Sequence, residues 1–240
     1  AVQRKLLDLA EIDADLNRID HRRRTLPELA EIADQEKNLR AARDAVVAAE
    51  TTLGDLNREA KRQEAEIEAV RSREDRDRAL LKAGDVGARQ VADLEHELTS
   101  LQRRQSSLED DLLELMERRE AVEMEVARAN GELGETEQTL ADARHRSGDA
   151  LTDLDTAQAR KTVTRTELAG AMPADLLKLY DRLRAQRGIG AALLRARKCG
   201  ACRLELDRSA IVAIKDAAPD EVVRCEECGA ILVRTAESGL

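Results

Sequence analysis

Apolar residues recur along roughly the first 170 positions in alternating steps of three and four, which lays one stripe along an α-helix and, when sustained, specifies a coiled coil. One seam runs through Leu39, Ala42, Val46, Ala49, Leu53, Leu56, Ala60, Gln63, Ile67 and Val70. A second runs through Val91, Leu94, Leu98, Leu101, Gln105, Leu108, Leu112, Leu115, Arg119, Val122, Val126 and Ala129, then more sparsely through Leu133, Leu140 and Leu154. Between them, Lys82-Ala83-Gly84-Asp85-Val86-Gly87 places two glycines within four residues, as the end and reversal of a helix requires. The pattern predicts a long antiparallel coiled-coil helical hairpin over residues 1–170, with its turn near 82–88.

Folding the arms about Gly84 makes the core positions mirror each other. Leu39 opposes Ala129, Val46 opposes Val122, Leu53 opposes Leu115, Ile67 opposes Leu101 and Val70 opposes Leu98, each pair of numbers adding to 168. In that register Gln63 meets Gln105, and Arg119 faces the small Ala49, so its stem can lie along the seam while its charge reaches water. A parallel dimer of one longer helix is the competing architecture, and it leaves both the break and the mirror unexplained. Upstream, Leu6, Leu9, Ile12, Leu16, Ile19 and Leu26 carry a stripe whose phase slips at Leu26-Pro27. Proline lacks the amide hydrogen a helix interior needs, so a kink or restart is expected there.

Beyond the arms, Pro173 opens a short helix containing Leu176, Leu177, Leu179, Tyr180 and Leu183, closed by Gly188 and Gly190, and residues 171–197 read as connecting helix and linker. Residues 198–240 carry strand-like runs at 221–224 and 230–233, with a turn at Pro219-Asp220. The same segment holds all four cysteines, Cys199 and Cys202 in C-G-A-C and Cys225 and Cys228 in C-E-E-C. Two C-x2-C turns supply the four soft thiolates of a tetrahedral structural zinc site, one zinc ion being the only cofactor expected. The spacer between the pairs leaves room for a short helix or an extra strand. Two disulfides or four buried thiols are the alternative, but no segment reads as a secretion signal and no other residue is a cysteine; a redox motif would need a βαβ setting that is absent.

Composition narrows the class further. There is no Phe or Trp and a single Tyr, 37% of residues are charged, and mean hydropathy is -0.52, which leaves little material for a large globular core. No apolar run approaches the roughly 20 residues needed to span a bilayer, so no membrane contact is expected, and with no segment reading as a secretion signal a cytoplasmic location is expected, where thiols stay reduced. No phosphate loop, dinucleotide fingerprint or nucleophile elbow is present, and His21, His96 and His145 are scattered along the arms. No catalytic residues, no cofactor-binding residues beyond the metal ligands and no small-molecule substrate are therefore assigned.

Residues 1–172 hold 28 basic and 39 acidic side chains, and residues 173–240 hold 12 and 10. Within 181–198, Arg182, Arg184, Arg187, Arg195, Arg197 and Lys198 stand against Asp181 alone. Two readings stay open for this cluster. It can contact a partner or the phosphates of nucleic acid, or it can be a solvated and structural feature that offsets the charge of a four-thiolate site and complements a helix C-terminus. No aromatic platform for stacking bases accompanies it.

Taken together, the hairpin, the run from Pro173 to Arg184, the Gly188 turn and C-G-A-C with C-E-E-C-G-A-I-L-V resemble the bacterial C4-type zinc-ribbon domain family, and His21-Arg22-Arg23-Arg24-Thr25-Leu26-Pro27-Glu28 is similar to it as well. The resemblance implies a mainly α protein, a coiled-coil hairpin followed by a short helix and a small β-rich zinc ribbon, acting as a regulator that binds proteins or nucleic acids. The expected function is that of a non-enzymatic zinc-binding adaptor or regulator, in transcriptional or post-transcriptional control. Its coiled coil would engage a protein, and its ribbon a protein or nucleic acid. The alternative is a direct RNA- or DNA-binding protein using the basic segment.

Overall fold

The computed structural model describes residues 2–240. Helix α1 spans Val2–Arg24, α2 Pro27–Ala83, α3 Ala88–Gly170 and α4 Ala174–Arg187. Strands β1 (Ala191–Arg195) and β2 (Lys198–Cys199), helix α5 (Arg208–Asp216), strands β3 (Val223–Arg224) and β4 (Ile231–Val233) and a 3-10 turn at Ala236–Ser238 complete the chain. They form two compact units, Ala30–Arg144 and Ala1–Leu29 with His145–Leu240.

The first unit is the helical hairpin. Alanine, leucine, glutamate and arginine, all strong helix formers, carry both arms, and Gly84 takes a left-handed φ of 75° where α2 ends. Val46, Ala49, Ala60, Ile67 and Val70 of α2 are buried, as are Leu94, Leu115, Ala129, Leu140 and Ala143 of α3.

The register differs from the mirror about Gly84. Cross-arm ion pairs on one flank, Arg71 with Glu109, Arg43 with Glu137 and Arg144 with Glu36, have residue numbers adding to 180. Those on the other flank, Arg73 with Glu97 and Arg104 with Glu66, add to 170. In an antiparallel pair the two flanks are displaced equally and oppositely from the core layers, so the layers add to 175 and the centre lies between Gly87 and Ala88 rather than at Gly84. Ala60 thus opposes Leu115, a small residue against a large one, both buried. Gln63 does not meet Gln105: its Nε2 donates to the Leu108 carbonyl oxygen at 3.2 Å, while Gln105 donates to Glu109 on its own helix. Arg119, no longer opposite Ala49, pairs along its helix with Glu123.

The reason is arithmetic. A heptad pattern superimposes on itself after seven residues, so hydrophobicity alone fits either register, and the two-helix turn and flanking charges decide. Exposed pairs like these contribute only about 0.2–1 kcal/mol each, and their main effect is alignment. Cysteines substituted at Ala60 and Leu115 should therefore cross-link within one chain under mild oxidation, whereas cysteines at Leu53 and Leu115 should not; mass mapping of the oxidised protein distinguishes the registers.

In the second unit α1 ends at Arg24 and the chain restarts at Pro27, whose missing amide hydrogen is harmless in a first turn. Helix α4 follows Pro173 and stops at Gly188, which adopts φ 84° and donates its amide to the Arg184 carbonyl at 2.8 Å. The sheet order is β2-β1-β4-β3, with β1 parallel to β4 and the outer pairs antiparallel. Strand β1 falls in the stretch read from sequence as linker. Its Ala-Ala-Leu-Leu has helix-forming composition, and pairing with β2 and with the distant β4 makes it a strand.

Side chains alternate across this sheet. Ile231 and Val233 pack with Leu6 and Leu9 of α1 and with Tyr180 and Leu183 of α4, while Leu232 faces Leu206, Ala210, Ile214 and the cysteines. Gly190 lies against the Tyr180 ring; a Cβ there would sit 2.6 Å from two ring carbons.

A buried ionic knot ties α1, α3 and α4 together. Asp13 of α1, 3% exposed, accepts from Tyr180 Oη at 2.7 Å and from Arg165 Nε at 2.7 Å, and Arg184 Nη2 lies 3.2 Å away. Arg165 also reaches Asp181 at 2.7 Å. Burial, followed by the hydrogen bond to Asp13, pushes the Tyr180 hydroxyl well above its ordinary value, and the Asp13 contact holds Arg165 firmly charged.

Candidate metal centre and the basic surface beside it

Two similar turns build the metal centre. In the first, Cys199 ends β2, the amide of Arg203 donates to the Cys199 carbonyl at 2.8 Å, and Arg203 takes a left-handed φ of 63°. In the second, the Gly229 amide donates to the Cys225 carbonyl at 2.8 Å, and Gly229 has φ 77°. Each turn curls its amides onto sulfur: those of Ala201 and Cys202 onto Cys199, that of Leu204 onto Cys202, and those of Glu227 and Cys228 onto Cys225. Gly200 is required by space, since a Cβ there would lie 2.7 Å from the Leu193 carbonyl oxygen. Between the turns, α5 is capped by Asp207, which accepts from the Ala210 amide at 2.7 Å and packs Ala210 and Ile214 beneath the cysteines.

The four sulfurs lie within 4.8 Å of one another. Cys199 Sγ is 3.7 Å from Cys228 Sγ, and Cys202 Sγ is 3.8 Å from Cys225 Sγ. Disulfides are excluded by these separations, a bonded pair being about 2.05 Å apart. A tetrahedron with Zn–S bonds of about 2.3 Å has edges of about 3.8 Å, so the cluster fits one zinc ion.

The thiols need that ion. Burial pushes Cys199 up to about 12 and Cys225 upward as well, while the Leu204 amide lowers the partly exposed Cys202. Two buried thiols of this kind lose their protons only against a cation. The ligand set is closed and all sulfur, so it holds the fold and leaves no coordination position for a substrate.

The basic cluster divides on inspection. Arg184 is drawn into the Asp13 knot and is not a free surface cation. Arg182 and Arg187 are exposed on α4. Arg195, Arg197 and Lys198 lie on the β1–β2 hairpin, all exposed, with Arg195 3.3 Å from the equally exposed Glu237 and Arg197 Nε donating to the Gly239 carbonyl at 3.1 Å. That hairpin turns on Ala196 and Arg197 at φ 45° and 62°, a left-handed conformation that tight hairpins usually assign to Asn or Gly. Amides of both residues donate to the carbonyls of Glu237 and Ser238 at 2.9 Å, which fixes the turn from outside. Arg203, exposed on the first metal turn, joins this surface, although its position after a C-x2-C is legible in the sequence only as a backbone role. Arg187 and Ile189 also line a small pocket of about 230 Å³ with Cys202 and Cys228.

A helical coiled-coil hairpin joined to a C4-type zinc ribbon defines the class of protein. The chain belongs to the CT398-like coiled coil hairpin domain family, which matches residues 9–188, and it carries a C4-type zinc ribbon domain over residues 198–232. It is similar to an uncharacterized protein of Mycobacterium tuberculosis, with 45% identity over 98% of this chain and 96% of that one. An uncharacterized protein of Mycobacterium leprae is 35% identical over 93% and 96%. A solved Mycobacterium smegmatis structure superimposes with TM-score 0.86 at 44% identity, covering 97% of both chains. CT398 from Chlamydia trachomatis shares the fold, with TM-score 0.68 at 19% identity over 96% of each. Among the described residues no helix is long and apolar enough to cross a membrane.

Proposed function

We propose that the protein is a non-enzymatic cytoplasmic adaptor whose hairpin captures a protein and whose ribbon presents a rigid basic edge to nucleic acid. The observation that carries the second half is the β1–β2 turn. Arg195, Arg197 and Lys198 project from a tight turn whose left-handed Ala196 and Arg197 are held by the carbonyls of Glu237 and Ser238, beside a closed zinc site that keeps the surface rigid. Rigid backbone under exposed cations reduces the ordering cost of binding phosphates. With no aromatic side chain other than the buried Tyr180, contact with phosphate and shape is favoured over reading of unstacked bases. A transcriptional or post-transcriptional role follows from that chemistry.

Equilibrium binding to labelled RNA and duplex DNA tests this reading. Affinity should fall steeply between about 50 and 200 mM salt, and R195A/R197A/K198A should reduce both the affinity and the salt slope by roughly one per lost phosphate contact. Binding that is absent, or indifferent to salt and to these substitutions, rejects the nucleic-acid half. Deleting residues 70–100 should abolish capture of the protein partner with zinc content unchanged; undiminished capture moves the protein site off the hairpin.

A further inference from the structure

The hairpin seam does not stop at Val70. Its three-and-four spacing continues into Glu74 and Asp77, and both carboxylates are buried, 3% and 8% exposed. Arg78, one turn along, holds Glu74 Oε2 at 2.7 Å, but Glu74 Oε1 and Asp77 Oδ2 have no hydrogen-bond partner. The 175 register sets Leu101 across from Glu74 and Leu98 across from Asp77, so the facing arm offers no cation at these layers. Nearby charges are committed elsewhere: Arg73 pairs with Glu97, and Arg71 with Glu109. Buried carboxylate oxygens without partners weaken the packing locally, and they mark where a cation from outside would be accepted.

A metal ion is a poor occupant. Two carboxylates beside leucines lack a third ligand, and the four cysteines are the one cluster of three or more metal-ligating groups among the described residues. A lysine or arginine is better matched, because its aliphatic stem can lie on Leu98 and Leu101 while its head reaches the oxygens. Leu80, 48% exposed at the same end, adds apolar contact area. We propose that the distal seam of the hairpin, at Glu74 and Asp77, is the docking point for an amphipathic helix of a protein partner that inserts one basic side chain. This rests on the hairpin's being the protein-binding element.

The test uses the full zinc-loaded chain and a designed helical peptide with a leucine seam and one core lysine, followed by fluorescence anisotropy. The lysine peptide should bind and slow amide exchange across residues 74–101. Replacing its lysine with norleucine, or using the E74Q/D77N chain, should each weaken binding at least about tenfold. The E74L/D77L chain, whose seam is apolar throughout, should remain folded and fail to bind. D110N/D111N, which removes exposed acids elsewhere on α3, should bind as the parent does. Equal binding of the norleucine peptide, equal loss in D110N/D111N, or no binding by the parent chain overturns the proposal. A native partner captured equally well by E74Q/D77N but lost on deletion of residues 70–100 overturns it too, while leaving the protein-binding role of the hairpin standing.

Discussion

Removing zinc is expected to dissolve the ribbon and spare the hairpin. The metal turns, α5 and the inner face of the sheet share one small core, in which Cys199 and Cys225 are themselves buried members. Without the ion, four thiols remain in a space shaped for four thiolates, and little apolar surface holds it closed. Structural zinc contributes about 10–16 kcal/mol in small zinc-finger peptides, comparable to the whole stability of a typical domain. Chelation, or C199S with C225S, should therefore render the segment after residue 198 sensitive to protease. Far-UV ellipticity should fall only slightly, since α2 and α3 lie largely elsewhere. The chain's single aromatic side chain supplies a local reporter: Tyr180 packs on the opposite face of the same sheet, so its emission should change as zinc leaves. Loss of most helical signal on chelation, or a ribbon that keeps its protease resistance without metal, contradicts this account.

The second large effect is expected at Asp13. Its carboxylate is enclosed by Tyr180, Arg165 and Arg184, and Arg165 has Asp181 as its one other acidic partner. D13A leaves two guanidinium groups and a phenol facing a vacated, mostly dry space. Breaking a buried ion pair by removing one partner typically costs about 3–5 kcal/mol, so this substitution should shift the urea midpoint of the Tyr180 signal strongly downward. Removing both sides, as in D13L/R165M, should recover much of that loss, because well-packed apolar replacements of buried ion pairs are often neutral or better. If D13A unfolds at the parent's midpoint, the knot is not stabilising. If D13L/R165M is as unstable as D13A, the loss is one of packing and not of uncompensated charge.

These two sites differ in how readily they could be seen beforehand. Cys199, Cys202, Cys225 and Cys228 announce themselves, since one residue type at one short spacing has few physical uses. The hairpin was equally legible from its period, and the Pro27 restart from the loss of an amide. Register was not, because a pattern that repeats every seven residues cannot distinguish Leu101 from Leu108 as the partner of Ile67. Strand β1 was hidden by residues with no preference for strands and by a partner far downstream. Asp13, Glu74 and Asp77 are concealed by the apolar rhythm around them. Glu74 and Asp77 occupy positions where the three-and-four rhythm of Ile67 and Val70 calls for an apolar side chain, and Asp13 stands beside Ile12, which satisfies the stripe of Leu6, Leu9 and Leu16 without it. An acidic residue in or beside a seam reads as noise, and here it marks a buried charge that must find a cation. At Asp13 the cations come from α3 and α4; at Glu74 and Asp77 the hairpin provides one for a single oxygen.

The discontinuity of the second unit has a consequence for how the chain is made. Leu6 and Leu9 leave the ribosome long before Tyr180, Leu183, Ile231 and Val233, which pack with them in one core. Everything from Ala30 to Arg144 emerges in between and can zip by local contacts within one unit. Until α4 and the sheet follow, α1 therefore exposes an apolar face without its permanent cover, and a holding chaperone would find its substrate there. Ile231 and Val233, the last of that cover, belong to the strand whose Leu232 packs with the cysteines, which couples completion of this unit to metal supply.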